Sequence, residues 1–250
     1  MIVAQDLVVE IGGKTIINRI CLQLARGTVT AIVGPNGSGK SVLMRCLAGS
    51  QPVASGRVEL DGKPLAAYSL AQLACKRAVL TQFFPVGFPF TALEIVMMGR
   101  NPYANSCCVA HNEHIALQAL AAVDAVHLQQ RIFPTLSGGE QQRVQLARVL
   151  AQLWEQNGAC LFLDEPTSAL DIKHQHQFLE DVRQLAANRN FAVCMIVHDL
   201  MLVMRYADRV ALLKNGSLVA WGKTAAVIDP DAIEYVFEVP AGLVLPAKRF

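Results

Sequence analysis

The chain has 250 residues, with 22 Lys and Arg against 20 Asp and Glu for a formal net charge of +2. So small a charge gives no basic field of the kind that nucleic-acid binding needs. Hydrophobic residues make up 53% of the chain and the mean hydropathy is +0.34, which implies extensive burial or an apolar face for a partner. Yet no run approaches the roughly 18 apolar residues of a membrane span, and the first ten residues lack the basic start and long apolar stretch of a secretory signal. A cytosolic chain is expected, long enough for one large domain or for a core with an inserted subdomain.

Taken in order, Ile2–Ile11 and 15–24 alternate like strands and are joined at Gly12-Gly13, the signature of a hairpin. Residues 28–33 form an apolar run that predicts a buried strand, and 39–47 have helical apolar spacing that stops at Gly49. Short strands are predicted at 57–60 and 78–81, then a loop of aromatic, Pro and Gly residues over 83–89. Helical spacing dominates next, at 92–98, 114–123 and 139–154. Strand signals return at 160–164, 191–198 and 209–213, with a helix over 172–187 between the first two. An antiparallel layer followed by strands alternating with helices predicts an α/β fold with a mostly parallel, helix-covered sheet.

Between the strand at 28–33 and its helix, Gly34-Pro35-Asn36-Gly37-Ser38-Gly39-Lys40-Ser41 matches G-x-x-x-x-G-K-[ST]. Glycines let such a loop curl so that its amides point inward at phosphates. Lys40 supplies a mobile charge near the β- and γ-phosphates, Ser41 a hydroxyl for Mg²⁺, and the helix N-terminus a favourable dipole. Further on, the apolar strand at 160–164 ends in Asp164-Glu165. A strand ending in Asp is where a phosphate-loop enzyme holds Mg²⁺, and a second carboxylate suits a general base for the attacking water. A third run, Leu136-Ser137-Gly138-Gly139-Glu140-Gln141-Gln142-Arg143, opens the helix at 139–154 with Ser137 and the amides of Gly138 and Gly139, a second anion-binding terminus.

That third run resembles the signature sequence of ATP-binding cassette proteins, and the remaining motifs of the family follow in order across nearly the whole chain. The resemblance implies an ABC-type nucleotide-binding domain: a RecA-like phosphate-loop core over 1–82 and 158–250, an antiparallel β-subdomain, and a helical subdomain inserted at about 83–157. It implies that Gln82 senses Mg²⁺ and the attacking water, that His198 hydrogen-bonds the γ-phosphate, and that Ser168-Ala169-Leu170-Asp171 carries signals across a dimer, with Asp171 in the nucleotide site. It also implies a homodimer in which each ATP is sandwiched between one chain's phosphate loop and the other's Ser137–Gly139 segment. At one position the pattern departs: the family's adenine-stacking aromatic is replaced by Ile11, which equally fits a packing alternation with Leu7 and Val9.

The segment 88–103, with 139–154 and His198-Asp199-Leu200, closely resembles bacterial importers of iron chelates, vitamin B12 and haem. The resemblance implies a peripheral ATPase at the cytoplasmic face of the bacterial inner membrane, docked through 88–103 on two permease subunits that receive haem from a periplasmic binding protein. Siderophores or vitamin B12 are alternative cargoes, and a soluble scaffold ATPase of iron–sulfur assembly is an alternative role. Seven cysteines without a C-x-x-C pair read as small core residues in a reducing compartment. His111 with His114, and His174 with His176, lack convergent Cys or carboxylate spacing and read as solvated helix faces rather than metal sites.

Overall fold

The computed structural model describes residues 1–81, 87–168 and 170–245. Strands β1 (Ile2–Ile11) and β2 (Lys14–Leu24) pair antiparallel around Gly12 and Gly13, whose φ angles of 58° and 76° demand the freedom of glycine. The chain then crosses through β3 (Thr28–Val33) and α1 (Lys40–Leu47) and returns as β4 (Ser55–Leu60) and β5 (Lys63–Pro64). These complete a four-stranded antiparallel sheet in the order β2-β1-β4-β5. A short helix α2 (Leu70–Lys76), held by a capping box between Ser69 and Gln72, leads into β6 (Arg77–Leu80).

Among the described residues, three α-helices precede the chain's return to the sheet: α3 (Ala92–Met98), α4 (Val109–Ala122) and α5 (Gly138–Leu153), which pack on one another. The remaining elements alternate: β7 (Cys160–Asp164), α6 (Ile172–Arg189), β8 (Ala192–Ile196), α7 (Leu200–Tyr206), β9 (Arg209–Lys214), β10 (Ser217–Lys223), α8 (Thr224–Val227) and α9 (Pro230–Phe237). The second sheet runs β10-β9-β3-β8-β7-β6, parallel throughout except for β10.

Each central strand of this sheet feeds two apolar cores, which is why it reads as a continuous apolar run. Val29, Ala31 and Val33 of β3, Leu161 and Leu163 of β7, and Val193 and Met195 of β8 face a core shared with α3 to α7. Ile32, Cys160, Phe162, Cys194 and Ile196 face the opposite way, against α1 and the antiparallel sheet. Each buried Val, Leu, Ile, Phe or Met among them contributes ~1.5–3 kcal/mol, so the sheet is fixed from both sides. The ends of β3, β7 and β8 that carry the motifs are held with it.

Some expectations shift. Cys46, Cys160 and Cys194 are core residues, but Cys21 and Cys108 are exposed. The strand expected over 191–198 stops at Ile196, so His198 stands free of the ladder. The apolar content of 88–103 is mostly core: Ala92, Ile95, Val96 and Tyr103 are buried, while Phe88 remains 70% exposed. Gln82, Ala169 and most of the loop expected over 83–89 lie outside the described residues.

Candidate active site

The segment 34–41 joins β3 to α1 as a tight cradle. Gly34, Gly37 and Gly39 have φ of 156°, 78° and 97°, and a Cβ on Gly34 would lie 2.3 Å from the Leu213 carbonyl oxygen. The cradle is also gripped from outside, since the Gly216 amide donates to the Ser38 carbonyl and the Asn18 amide to the Gly216 carbonyl. Within it, Lys40 Nζ donates to the carbonyls of Gly34 and Pro35, both at 2.9 Å. Burial pushes the Lys40 pKa down, opposed by the charges of Glu165 and Asp164. A buried ammonium that donates to carbonyls is ready to exchange them for an anion. Among the described residues Ser38 Oγ, also buried, has no hydrogen-bond partner, a polar atom inside the cradle that a phosphate oxygen would satisfy.

Across from the cradle, β7 delivers Asp164 half-buried at its last position. Burial raises the Asp164 pKa and the adjacent Glu165 charge raises it further, while Arg45, Lys40 and His198 oppose them. Glu165 leaves the strand with φ of 48°, a left-handed turn that ends the extended run of β7. Its Oε1 lies 2.7 Å from His198 Nε2, so the turn after β8 and the turn after β7 meet through these side chains. Beyond them Ser168 Oγ donates to the Glu165 carbonyl, closing the turn. Asp199 caps α7 by accepting from the amides of Met201 and Leu202, which fixes the residue next to His198.

Ser137 is the N-cap of α5. Its hydroxyl and amide both donate to Glu140 Oε2, at 2.8 and 2.7 Å, and Arg131 reaches the other oxygen of that carboxylate. These bonds from Ser137, backbone first, hold the Glu140 carboxyl below its ordinary range. Asp171 caps α6 through the His174 amide at 2.9 Å and takes the His174 ring at 2.8 Å, so in this structure its contacts are those of a helix cap. Gly138 and Gly139 open α5, Gly139 beside Leu170 and His174. The structure thus gathers Lys40, Asp164, Glu165 and His198 at one end of the central sheet, while Ser137 and Asp171 mark two helix starts.

Residues 17–168 match the sequence model of the ABC transporter family, more than half of the chain. The chain belongs to the ABC transporter family. Hemin import ATP-binding protein HmuV of Methylobacillus flagellatus is 46% identical over 237 residues, spanning 94% of this cassette and 88% of its own length. The protein of the same name from Escherichia coli O157:H7 is 44% identical over 239 residues, spanning 95% and 92%. Among solved structures, an ATP-binding cassette of an ABC transporter in its ADP conformation has a TM-score of 0.83 at 25% identity, covering 96% of this chain and 99% of that one. A dimeric bacterial ABC transporter cassette has a TM-score of 0.77 at 25% identity, covering 90% and 99%.

Two contacts in this ABC cassette carry no linear signal. Gln142 of α5 donates to the Pro166 carbonyl at 2.8 Å, tying the helix that begins at Ser137 to the turn that carries Glu165. Gln175 of α6 donates to the carbonyls of Thr167 and Leu170 and braces the same turn. In the sequence Gln142 stands within the signature run but nothing there points to Pro166, and Gln175 is an ordinary polar helix residue. Among the described residues no helix is long and apolar enough to cross a membrane.

Proposed function

We propose that the chain is the ATP-hydrolysing subunit of a bacterial hemin importer. It works as a homodimer at the cytoplasmic face of the cell membrane, beneath two permease subunits supplied by a periplasmic binding protein. The observation that carries the ATPase chemistry is the 2.7 Å contact of Glu165 with His198 beside the lysine-bearing cradle. Import of hemin rests on the relatives, which bear that function in their names along nearly their whole length.

The nucleotide's phosphates enter the cradle of Gly34, Pro35, Asn36, Gly37, Ser38, Gly39, Lys40 and Ser41. Lys40 exchanges the two carbonyls for the β- and γ-phosphates, which compensates the charge that burial disfavours. The Ser41 hydroxyl and Asp164 carboxylate are hard oxygen donors that suit Mg²⁺, with Gln82 completing the set by its place in the motif series. The mutual repulsion of Asp164 and Glu165 is what a cation there would offset. When bound, Mg²⁺ neutralises charge on the β- and γ-phosphate oxygens.

Glu165 then accepts a proton from the attacking water, and His198, one hydrogen bond away, orients Glu165 or turns to the γ-phosphate. In the dimer the second copy's Ser137, Gly138 and Gly139 close the site, and Asp171 lies at the seam. The cassette core at 1–82 and 158–250 and the helical part at 83–157 turn relative to each other as the site closes, with Phe88 facing the membrane subunits. Glu165→Gln is expected to keep ATP affinity within about twofold while turnover falls roughly a hundredfold or more, with closed dimers accumulating. Full steady-state turnover in that variant would remove Glu165 from the base role. For the cargo, the cassette assembled with its permease and binding protein in vesicles should show ATPase stimulation by hemin and not by a ferric siderophore or cobalamin.

A further inference from the structure

One cluster lies away from the nucleotide site. Cys107 stands just before α4, its amide donating to the Tyr103 carbonyl, and His111 sits in the first turn of that helix. Glu155 comes from beyond the end of α5, 44 positions from His111 in sequence. The Cys107 thiol, a His111 ring nitrogen and a Glu155 carboxylate oxygen all lie within 4.8 Å of one another. His111 Nε2 is 3.0 Å from Glu155 Oε1. In sequence the histidine lacked converging ligands because the carboxylate arrives only through the packing of α4 on α5.

Glu155 is held in place by a buried cation. The Arg100 side chain is 2% exposed and donates to Asn112 Oδ1, to the Ala151 carbonyl and to Glu155 Oε2. That pairing occupies Oε2, while Oε1 faces the His111 ring, so a metal ion would take the place of the His111–Glu155 hydrogen bond and need not unpair Arg100. A carboxylate braced in this way by a neighbouring group is how metal ligands are oriented. The Cys107 thiol, by contrast, makes among the described residues a weak contact at 3.9 Å with Ser106 Oγ and lies outside the arginine network. All three groups reach solvent, which gives an ion a way in.

We propose that Cys107, His111 and Glu155 bind one divalent transition-metal ion of the Zn²⁺ type, clasping the start of α4 to the end of α5. Thiolate, imidazole and carboxylate are the ligand types zinc takes, at about 2.3 Å to sulfur and about 2.0–2.2 Å to nitrogen and oxygen. Tetrahedral bonds of those lengths set neighbouring donors roughly 3.3–3.6 Å apart, so donors that lie within 4.8 Å of one another are already near enough to close on one ion with small side-chain shifts. Three protein ligands leave the fourth position to water. On binding, the Cys107 thiol releases its proton to solvent and the His111 ring carries its proton on Nδ1, freeing Nε2 for the metal. Affinity therefore rises with pH. Because α5 opens at Ser137, an ion at its far end stiffens the helix that presents the signature.

The test is titration of the full-length chain with Co²⁺ in excess Mg²⁺, followed by back-titration with Zn²⁺. One equivalent of Co²⁺ should give a sulfur-to-cobalt charge-transfer band that Zn²⁺ abolishes. Cys107→Ser should remove the band, and His111→Ala should weaken Co²⁺ binding about tenfold or more. Cys108→Ser and Cys21→Ser, which change the exposed thiols outside the cluster, should leave it intact. Zn²⁺ should also slow alkylation of Cys107 but not of Cys108. A band that survives Cys107→Ser at unchanged affinity, or no sulfur-to-cobalt band at all, would overturn the proposal.

Discussion

Ile11 is the last residue of β1 before the Gly12-Gly13 turn and is 46% exposed, whereas Leu7 and Val9 are buried. The packing alternation therefore ends one step short of it, and a core role does not account for this residue. An aliphatic side chain presents no π-face to a base. Stacking on an aromatic is worth ~1–3 kcal/mol per base, so Ile11→Tyr should tighten ATP binding about tenfold and widen the gap between ATP and GTP, which the wild type should distinguish poorly. Nucleotide dissociation constants measured for both chains decide this, and equal discrimination in the two would set it aside. Lys40, Asp164 and Glu165 stand out in the sequence because each sits at a fixed place in a contiguous motif beside an apolar strand, whereas His198 is singled out only by its place in the family's motif series. The Gln142 contact with Pro166 and the left-handed turn at Glu165 were not legible, because both arise from where distant segments meet.

Elements were legible in proportion to their burial. The strands at Thr28–Val33 and Cys160–Asp164 are buried on both faces and announce themselves as apolar runs. By contrast α2 buries only Leu73, with Leu70 82% exposed, so it has no apolar period long enough to mark a helix. Likewise α4 begins at Val109 rather than at 114, because residues 109–111 are exposed and the buried position of that turn, Asn112, is polar, so no apolar period marks it. The packing of α3 on α5 depends on a contact no periodicity contains: a Cβ at Gly99 would lie 2.1 Å from the Arg148 carbonyl oxygen. Backbone cannot step aside as a flexible side chain can. Gly99→Ala should therefore cost about 3 kcal/mol in urea unfolding, whereas Gly242→Ala, which meets nothing within 4 Å, should cost little. Equal midpoints for the two variants would mean that the helices separate freely there.

At the scale of the molecule, the cradle lies at the strand ends while Ser137 sits in a satisfied capping box of its own helix. If the signature completes a second copy's site, damage to the two halves should be separable. A heterodimer with Lys40→Ala in one chain and Ser137→Arg in the other keeps one undamaged pair of half-sites. It should retain ATPase activity that neither variant shows as a homodimer, and activity no higher than in those homodimers would argue against shared sites. The topology has one more consequence, which concerns the order in which the chain is made. Strand β3 is the first strand of its sheet to leave the ribosome, yet both of its hydrogen-bonded neighbours, β8 and β9, begin only at Ala192 and Arg209. Its phosphate cradle is moreover gripped by the Gly216 amide. A nascent chain thus carries every residue of the nucleotide loop, until β8 and β9 are made, without the backbone partners that shape it. Nucleotide recognition must wait for those strands to close around a segment translated long before.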